Sequence, residues 1–279
     1  MASLNAFAPI IWTSKLFTRL RANLVHASTV NRDYEGEIRG AGDRVVIVEL
    51  EPVATSTYSK NTDITWGNSG SYEKELLIDK SLYYARNLDA IDRVQSKVNV
   101  LNAIVDEAAY GMAKDVDTDL ATLYSEAGNS VSAATVSEGS ILLNISNMQY
   151  ELDNANVPVT ERFFPIQPWY HRDLVQAASG AIGNTTVPKV FSDGLLVNGY
   201  VGRLFGFNLL LSTQAAGGGN TTSYNMAYHR SAITFASQLS DFKVVDREAR
   251  NGIGIKAFLY YGRKVVRPEA MVSCTVTIG

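Results

Sequence analysis

The stretch from Asp92 to Glu126 most constrains what this chain can fold into. Its apolar residues recur at spacings of three and four, at Val94, Val98, Leu101, Val105, Ala108, Met112, Val116, Leu120 and Leu123. That period is typical of an amphipathic helix. The acidic residues fall on other positions and predict a polar face, made of Asp106, Glu107, Asp115, Asp117 and Asp119. At ~1.5 Å per residue, the pattern predicts a single helix about 50 Å long over residues 92–126.

A coiled-coil dimer is the alternative, because spacings of three and four also fit a heptad repeat. The stripe contains more Val, Ala and Met than Leu. We therefore favour a long amphipathic backbone for a flat domain of mixed helix and sheet.

Composition and charge limit the functions that this chain can have. The chain has 279 residues, 46% hydrophobic and 19% charged, enough for one large core or two smaller ones. A formal net charge of -3 is too small to predict nucleic-acid or membrane binding by the chain as a whole. The single cysteine, Cys274, excludes an intrachain disulfide and is expected to be a packed side chain. The uncharged run 204–228 is rich in Ser, Thr, Asn and Gly, so we expect no transmembrane helix and no membrane partner.

Catalytic patterns are missing from the sequence. The three histidines, His26, His171 and His229, stand singly and lack the spacing of metal ligands. The run Gly217-Gly218-Gly219 is not followed by a helix that begins with Lys-Ser or Lys-Thr, so it does not predict a phosphate-binding loop. We therefore predict no catalytic residue, metal ligand or cofactor, and no enzyme activity.

The first part of the chain is basic. Residues 1–32 contain no acidic residue, and their basic residues are Lys15, Arg19, Arg21 and Arg32. Such a segment can contact a polyanion. The alternative is a surface helix packed on its own subunit or on a neighbour.

A long hairpin follows. Residues 44–50 and 72–84 have the β-branched and alternating pattern of strands, and a polar stretch, 55–71, separates them. Two strands with a tip of this length have no core of their own. An exposed aromatic side chain at such a tip, here Trp66, usually contacts a partner. The alternative is that Trp66 packs back on the hairpin.

The rest of the chain predicts an α+β fold. Helices are expected over 140–154 and 169–178, a buried strand over 203–211, and strands over 242–245, 253–261, 264–267 and 271–278. Residues 214–223 are expected to form a flexible loop. We expect this loop to join two apolar segments of one sheet, residues 204–211 and 231–236.

The order of these elements resembles the major capsid protein of tailed double-stranded DNA bacteriophages, the Hong Kong 97-like fold. Three short sequence segments resemble those of the family as well. They are Gly202-Arg203-Leu204-Phe205-Gly206-Phe207, Ala227-Tyr228-His229-Arg230-Ser231-Ala232-Ile233 and Tyr261-Gly262-Arg263-Lys264-Val265-Val266-Arg267-Pro268-Glu269.

The resemblance implies a division of the chain. Residues 1–33 would form an N-terminal arm and residues 34–80 the extended loop, a β-hairpin lying over a neighbouring subunit. Residues 81–136 and 241–279 would form a peripheral domain with the spine helix 92–126. Residues 137–240 would form an axial domain at the five-fold and six-fold axes.

The resemblance also implies a structural function. The chain would self-assemble into pentamers and hexamers of an icosahedral head that encloses double-stranded DNA, in the host bacterial cytoplasm. Portal and scaffolding proteins, and a decoration protein, would be its partners. No acidic or helical extension precedes the arm, so we expect any scaffold to be a separate protein or already removed. An encapsulin-type compartment, which would bind a cargo peptide and no DNA, is the alternative, and an unrelated α+β hydrolase is a more distant one.

Three groups of residues are predicted to serve assembly. Tyr58, Lys60, Ile64 and Trp66 of the extended loop would contact another subunit. Lys15, Arg19, Arg21 and Arg32 would lie on the inner surface, where they would face DNA or a scaffold. Gly217, Gly218 and Gly219 would let the axial loop differ among non-equivalent copies. Some family members cross-link a Lys to an Asn of another subunit; Lys60 is a conceivable donor, but no acceptor is identifiable and we predict no cross-link.

Overall fold

The computed structural model describes residues 25–34, 44–51, 55–64, Trp66, 70–89, 100–137, 140–179, 202–218, 221–239, 243–246 and 252–279. The helices in these residues are α1 (His26–Thr29), α2 (Val100–Ala121), α3 (Ile141–Asn154) and α4 (Pro168–Ser179). Short 3-10 helices cover Thr122–Glu126, Arg230–Ala232 and Pro268–Ala270.

The strands in the described residues make three sheets. In chain order they are β1 (Arg44–Leu50), β2 (Ser71–Leu77), β3 (Lys80–Asp89), β4 (Asn129–Val136), β5 (Arg162–Ile166), β6 (Arg203–Leu204), β7 (Phe207–Leu211), β8 (Gly217–Gly218), β9 (Thr222–His229), β10 (Ile233–Leu239), β11 (Lys243–Asp246), β12 (Gly252–Val265) and β13 (Met271–Ile278). Strands β1 and β2 form a two-stranded sheet. In the four-stranded sheet β12 pairs with β3, β10 and β11. The seven-stranded sheet runs β4-β13-β9-β5-β7-β6, with β8 on β9.

The predicted long helix is present over its described part. Helix α2 continues directly into the 3-10 turn Thr122–Glu126, whereas the predicted residues 92–99 lie outside the described residues. Its stripe residues Val116, Leu120 and Leu123 are buried in the core of this same chain. A coiled coil is therefore not needed to cover them. Asp117, predicted on the polar face, is instead fully buried, because its carboxylate binds backbone N–H groups of the 25–34 segment.

Helix α3 packs on the seven-stranded sheet through one stripe. Ile141, Ile145, Met148 and Leu152 recur at four, three and four, and all are fully buried. Burying each such side chain contributes roughly 1.5–3 kcal/mol. The helix contacts β4 and β13, and its own buried face thereby covers one edge of the sheet.

Several predicted strands have different limits in the structure. The segment 203–211 is two strands rather than one, because Phe205 (φ 48°) and Gly206 (φ 81°) make a turn between β6 and β7. The segment 72–84 is also two strands, β2 and β3, interrupted at residues 78–79. In contrast, β12 runs unbroken through the turn expected at Gly262. A Cβ at Gly262 would lie 2.2 Å from the carbonyl oxygen of Leu77, so this glycine permits a close backbone approach.

The apolar segments 204–211 and 231–236 do not pair, and that prediction was wrong. Strand β7 pairs with β5 in the seven-stranded sheet, whereas β10 pairs with β12 in the four-stranded sheet. The strand that follows the glycine loop in the seven-stranded sheet is β9. Strand β13 lies between β4 and β9, so the seven-stranded sheet contains strands from both sides of residue 240.

Candidate subunit interface

The base of the β1–β2 hairpin is buried on the four-stranded sheet. The two strands pair antiparallel from Arg44↔Leu77 to Leu50↔Ser71, as their patterns predicted. Near the base, Val45, Leu76 and Ile78 are buried and pack with Ala236 in a small cluster of their own. The hairpin therefore has a fixed root on the four-stranded sheet.

Charged groups hold the hairpin against the end of β12. The Lys74 ammonium donates to Glu49 at 3.2 Å and also to the carbonyl oxygen of Val266. The Arg267 guanidinium lies 3.2 Å from the same Glu49 carboxylate. These contacts set the direction in which the hairpin leaves its root.

The tip of the hairpin is exposed. Tyr58 and Ile64 are 66% and 65% exposed and Trp66 is 90% exposed. Lys60 is exposed in a turn beside Asn61, whose φ is 67°. Trp66 therefore does not pack back on the hairpin within this subunit, and an apolar surface is left for a partner.

A second polar centre, on Asp119, joins the helix α2 to two strands. Its carboxylate accepts hydrogen bonds from Lys80 at 2.8 Å, Arg263 at 2.9 Å and Tyr261 at 3.2 Å. Burial, and next the Asp119 charge, raise the pKa of the Tyr261 hydroxyl, so it remains a donor. Lys80 starts β3 directly after the hairpin, so Asp119 ties the root of the hairpin to α2. No local sequence pattern signals this centre, because Asp119 lies 39 positions from Lys80 and 144 from Arg263.

Residues 25–34 are packed on their own subunit. The Asp117 carboxylate accepts from the backbone N–H groups of Val25 at 3.3 Å and Ala27 at 3.0 Å. Further along, Asn31 and Phe235 share a backbone hydrogen bond of 2.9 Å. Arg32 lies 5.8 Å from the centre of the Phe235 ring, a cation–π geometry. Lys15, Arg19 and Arg21, the other residues of the predicted basic arm, lie outside the described residues.

His26 lies inside this packed segment. It is 1% exposed, and neither ring nitrogen has a hydrogen-bond partner. Burial lowers the pKa of His26, while the nearby Asp117 charge raises it by a smaller amount. The ring is thus held neutral by its surroundings.

The glycine loop is attached to the core at its first half. The Gln167 amide donates to the carbonyl oxygens of Ala215 at 2.9 Å and Ala216 at 3.2 Å. Gly217 and Gly218 then pair with β9. A Cβ at Gly217 would lie 2.4 Å from Gln167, so this glycine is required by packing. Gly219 lies outside the described residues.

The remaining histidines and the cysteine make no reactive cluster. Partial burial lowers the pKa of His171 and of His229, and His229 binds Ser231 at 2.8 Å. Cys274 is buried, as predicted, and burial raises the pKa of its thiol. Within the described residues, no three His, Cys, Asp or Glu side chains are arranged to hold a metal ion. Of the described helices, none has the length and apolarity to cross a membrane.

Comparisons with known proteins assign the fold. A solved structure of Mycobacterium phage Che8 superposes with a TM-score of 0.79 at 24% identity and covers 98% of each chain. The capsid structure of the cyanophage P-SCSP1u gives a TM-score of 0.75 at 12% identity, over 96% of this chain and 92% of that one. The capsid of Ralstonia phage GP4 gives 0.67 at 13% identity, over 100% and 99%. The chain therefore has the α+β Hong Kong 97-like capsid fold.

A family model described as phage capsid protein matches residues 87–274. The chain belongs to the phage capsid protein family. A search of curated protein sequences gave no match. As a member of a family of structural shell proteins, it self-associates in a virion capsid and is not an enzyme. Membership of this family does not support the encapsulin-type alternative.

Proposed function

We propose that this chain is the major capsid protein that assembles into the pentamers and hexamers of an icosahedral phage head around double-stranded DNA. The observation that carries the proposal is a hairpin with a buried root and a 90% exposed Trp66 near its tip. A hairpin of this kind can bury its apolar tip only against another molecule. Repetition of one such contact closes a shell.

The proposed division into an arm, a loop and two domains is described by residue ranges of the chain. Residues 1–33 form the arm, 34–80 the extended loop, 81–136 and 241–279 the peripheral domain, and 137–240 the axial domain. The Asp119 centre supports the role of α2 as a spine, since it links the loop root to the four-stranded sheet. Strand β10, from the proposed axial segment, pairs with β12, and β13, from the proposed peripheral segment, pairs with β9, and these pairings would couple the two domains mechanically.

Tyr58, Lys60, Ile64 and Trp66 contact a neighbouring subunit in this proposal. All four are exposed in the lone subunit. The contact would remove three apolar side chains from water and leave the Lys60 ammonium at the rim, where polar groups are normally found.

The basic arm faces DNA or a scaffolding protein on the inner surface in this proposal. Arg32 stacks on Phe235, so Lys15, Arg19 and Arg21 carry the proposed contact. Replacing these three by Gln should impair packaging or assembly in a salt-dependent way, because phosphate contacts release counterions. An arm found wholly on the outer surface would contradict this role. Portal and decoration proteins complete the proposed partners, with assembly in the host bacterial cytoplasm.

The loop 214–223 adapts the axial domain to its five-fold and six-fold surroundings in this proposal. Its first half is bonded to Gln167 and β9, so we place the adaptation near Gly219. Superposing the non-equivalent copies of an assembled shell is the test. An invariant loop with large shifts inside α2 would show that the flexibility belongs to the helix.

Negative-stain electron microscopy of the purified protein tests the function itself. Uniform icosahedral shells are the expected result. Shells that co-purify with a protein cargo and no DNA contact would support the encapsulin-type alternative. A preparation that stays monomeric at every concentration and salt, with or without its scaffold, would contradict both.

A further inference from the structure

We propose that the open edge of β4 binds an extended basic peptide segment of a separate protein. The peptide adds a strand beside β4 and inserts its side chains between this strand and helix α3. We call this site the β4–α3 groove; it is lined by residues 130–136 and by one face of α3. The inference goes beyond the proposed function, because the groove lies outside the hairpin, the arm and the glycine loop and its occupant is not needed for a shell.

Strand β4 is the outermost strand of the seven-stranded sheet. It pairs with β13 on one side, and within the described part of the chain no strand lies on its other side. The backbone N–H and C=O groups along such an edge can pair with one more strand. Edge strands are commonly protected by charged side chains or proline, and β4 contains neither.

A bulge exposes the centre of this edge. Val131 pairs with Cys274 and Ala134 with Val276, so β4 has one residue more than β13 between these pairs. Ser132 and Ala133 have no partner residue in the ladder, and both are exposed. Bulges are frequent next to active sites, where they redirect side chains. The small side chains at this bulge leave room for another backbone to approach.

Helix α3 forms the second wall of the groove. Its groove residues recur at the spacing of one helical face, and they are Ser140, Leu143, Asn144, Asn147, Tyr150 and Glu151. The apolar side chains of Leu143 and Tyr150 are 63% and 65% exposed. The groove has a volume of about 510 Å³, which is typical of a binding site.

The charge of the groove favours a basic peptide. Glu151 is the only charged side chain that lines it, and no ion pair of the described residues includes Glu151. A Lys or Arg of the peptide would complement this carboxylate. In strand addition the main chain provides affinity, and pockets for alternate side chains provide specificity. The matching peptide therefore has apolar residues at alternate positions and at least one basic residue.

A second copy of this chain fits the groove less well than a separate peptide. Its β4 carries the same bulge, which hinders the pairing of two long strand edges. Two identical grooves would also bring together two Glu151 carboxylates and no cation. A short segment of a different protein meets neither obstacle.

Selection from a displayed library of random nonapeptides tests the proposal. The library is panned on the purified full chain and, in parallel, on the Leu143→Ser/Glu151→Lys double variant. We expect the wild type alone to enrich peptides with alternating apolar residues and a Lys or Arg. A labelled synthetic peptide of the enriched sequence then gives dissociation constants by fluorescence anisotropy.

Matched controls separate the groove from the rest of the surface. Val159→Ser changes an apolar side chain that is 52% exposed outside the groove, and Asp106→Lys reverses an exposed charge on α2. Leu143→Ser and Glu151→Lys should each weaken binding about tenfold, because one removes an apolar contact and the other turns an attraction into a repulsion. Both controls should bind like the wild type. Thermal melts establish that every variant is folded.

Backbone methylation of the peptide tests strand addition directly. Only every second N–H of an edge-paired strand points to its partner. Methyl groups on one set of alternate nitrogens should therefore abolish binding, and methyl groups on the other set should leave it nearly unchanged.

Three results would overturn the inference. One is a library that enriches nothing on the wild type beyond the double variant. Another is binding that both groove variants and both controls leave equally strong, and the third is equal binding of the two methylated peptides. Self-association that Leu143→Ser abolishes, with no peptide enriched, would assign the groove to a second copy instead. Microscopy of shells tests the proposed function separately, so either proposal can fail without the other.

Discussion

Arg162 is the largest fully buried side chain among the described residues. Its side chain has no exposed surface, and its guanidinium lies 2.7 Å from Asp153 while donating to the carbonyl oxygen of Pro158 at 2.8 Å. It also donates to the carbonyl oxygen of Val157. The guanidinium thus closes the chain reversal between α3 and β5.

We expect Arg162→Met to lower the free energy of unfolding by about 1–3 kcal/mol, because the variant leaves the carbonyl oxygens of Val157 and Pro158 without their donor. Chemical denaturation of the wild type and of the variant measures this loss in the free energy of unfolding. Arg172→Met is the control, since Arg172 is largely exposed and pairs with its neighbour Asp173. Equal loss in both variants would show that Arg162 does not close this reversal.

His26 makes stability depend on pH. Its folded-state pKa is lowered by burial, so between the folded value and the ordinary 6.5 the unfolded chain binds more protons. The free energy of unfolding should therefore fall as pH drops below about 6.5, by at most about 1.4 kcal/mol per pH unit. His26→Phe should flatten that fall and leave the contributions of His171 and His229, whose pKa values are also lowered by burial. Melting temperatures at pH 7.5 and 5.5 provide the comparison, and identical slopes would exclude this origin.

At the scale of elements, Gly111 of α2 has open space where a side chain would lie. A Cβ there would have no heavy atom within 4 Å. Gly111→Ala should stabilise the subunit by about 0.5–1 kcal/mol, since alanine loses less backbone entropy in a helix. Gly262→Ala is the matched contrast and should destabilise, because its Cβ meets Leu77. A Gly111→Ala variant that melts lower than the wild type would contradict the open environment.

Helices and strands whose apolar residues recur at a regular spacing were predictable from the sequence. The stripe of α2, the four-three-four pattern of α3 and the alternation of β13 each identify one buried face. The prediction of a turn at Gly262 was wrong, because β12 continues through this residue as one strand. Glycine permits both a turn and a close backbone approach, and the sequence does not say which one applies. The buried Asp117 was missed for a related reason, since its partners are backbone groups 90 and 92 positions away.

Strand pairing was the part of the fold that residue patterns could not provide. Both β7 and β10 are apolar and close in sequence, yet they belong to different sheets. Which strands become neighbours depends on the crossing connections, and these leave no periodic trace in composition. The tip of the hairpin was identified correctly as exposed, whereas the pairing of Lys243 with Lys256 was not foreseen, because the two lysines meet only in the folded ladder.

For the whole molecule, assembly should depend on Trp66 far more than folding does. We expect Trp66→Ala to weaken shell formation and leave the melting temperature of the subunit unchanged, because the side chain is 90% exposed in the lone subunit. Tyr150→Ala, a 65% exposed aromatic on α3, is the control. Sedimentation velocity and a thermal melt separate the two effects. A lowered melting temperature without an assembly defect would contradict the role of the tip.

The position of β13 has a consequence for synthesis on the ribosome. Met271–Ile278 lies between β4 and β9 and pairs with both, so the seven-stranded sheet cannot close until this segment has emerged. Pairing over such a sequence separation is slow, because a long chain must be brought together first. A nascent or prematurely terminated chain therefore lacks the strand that joins its halves. We therefore expect a chain truncated before Met271 to be excluded from the shell.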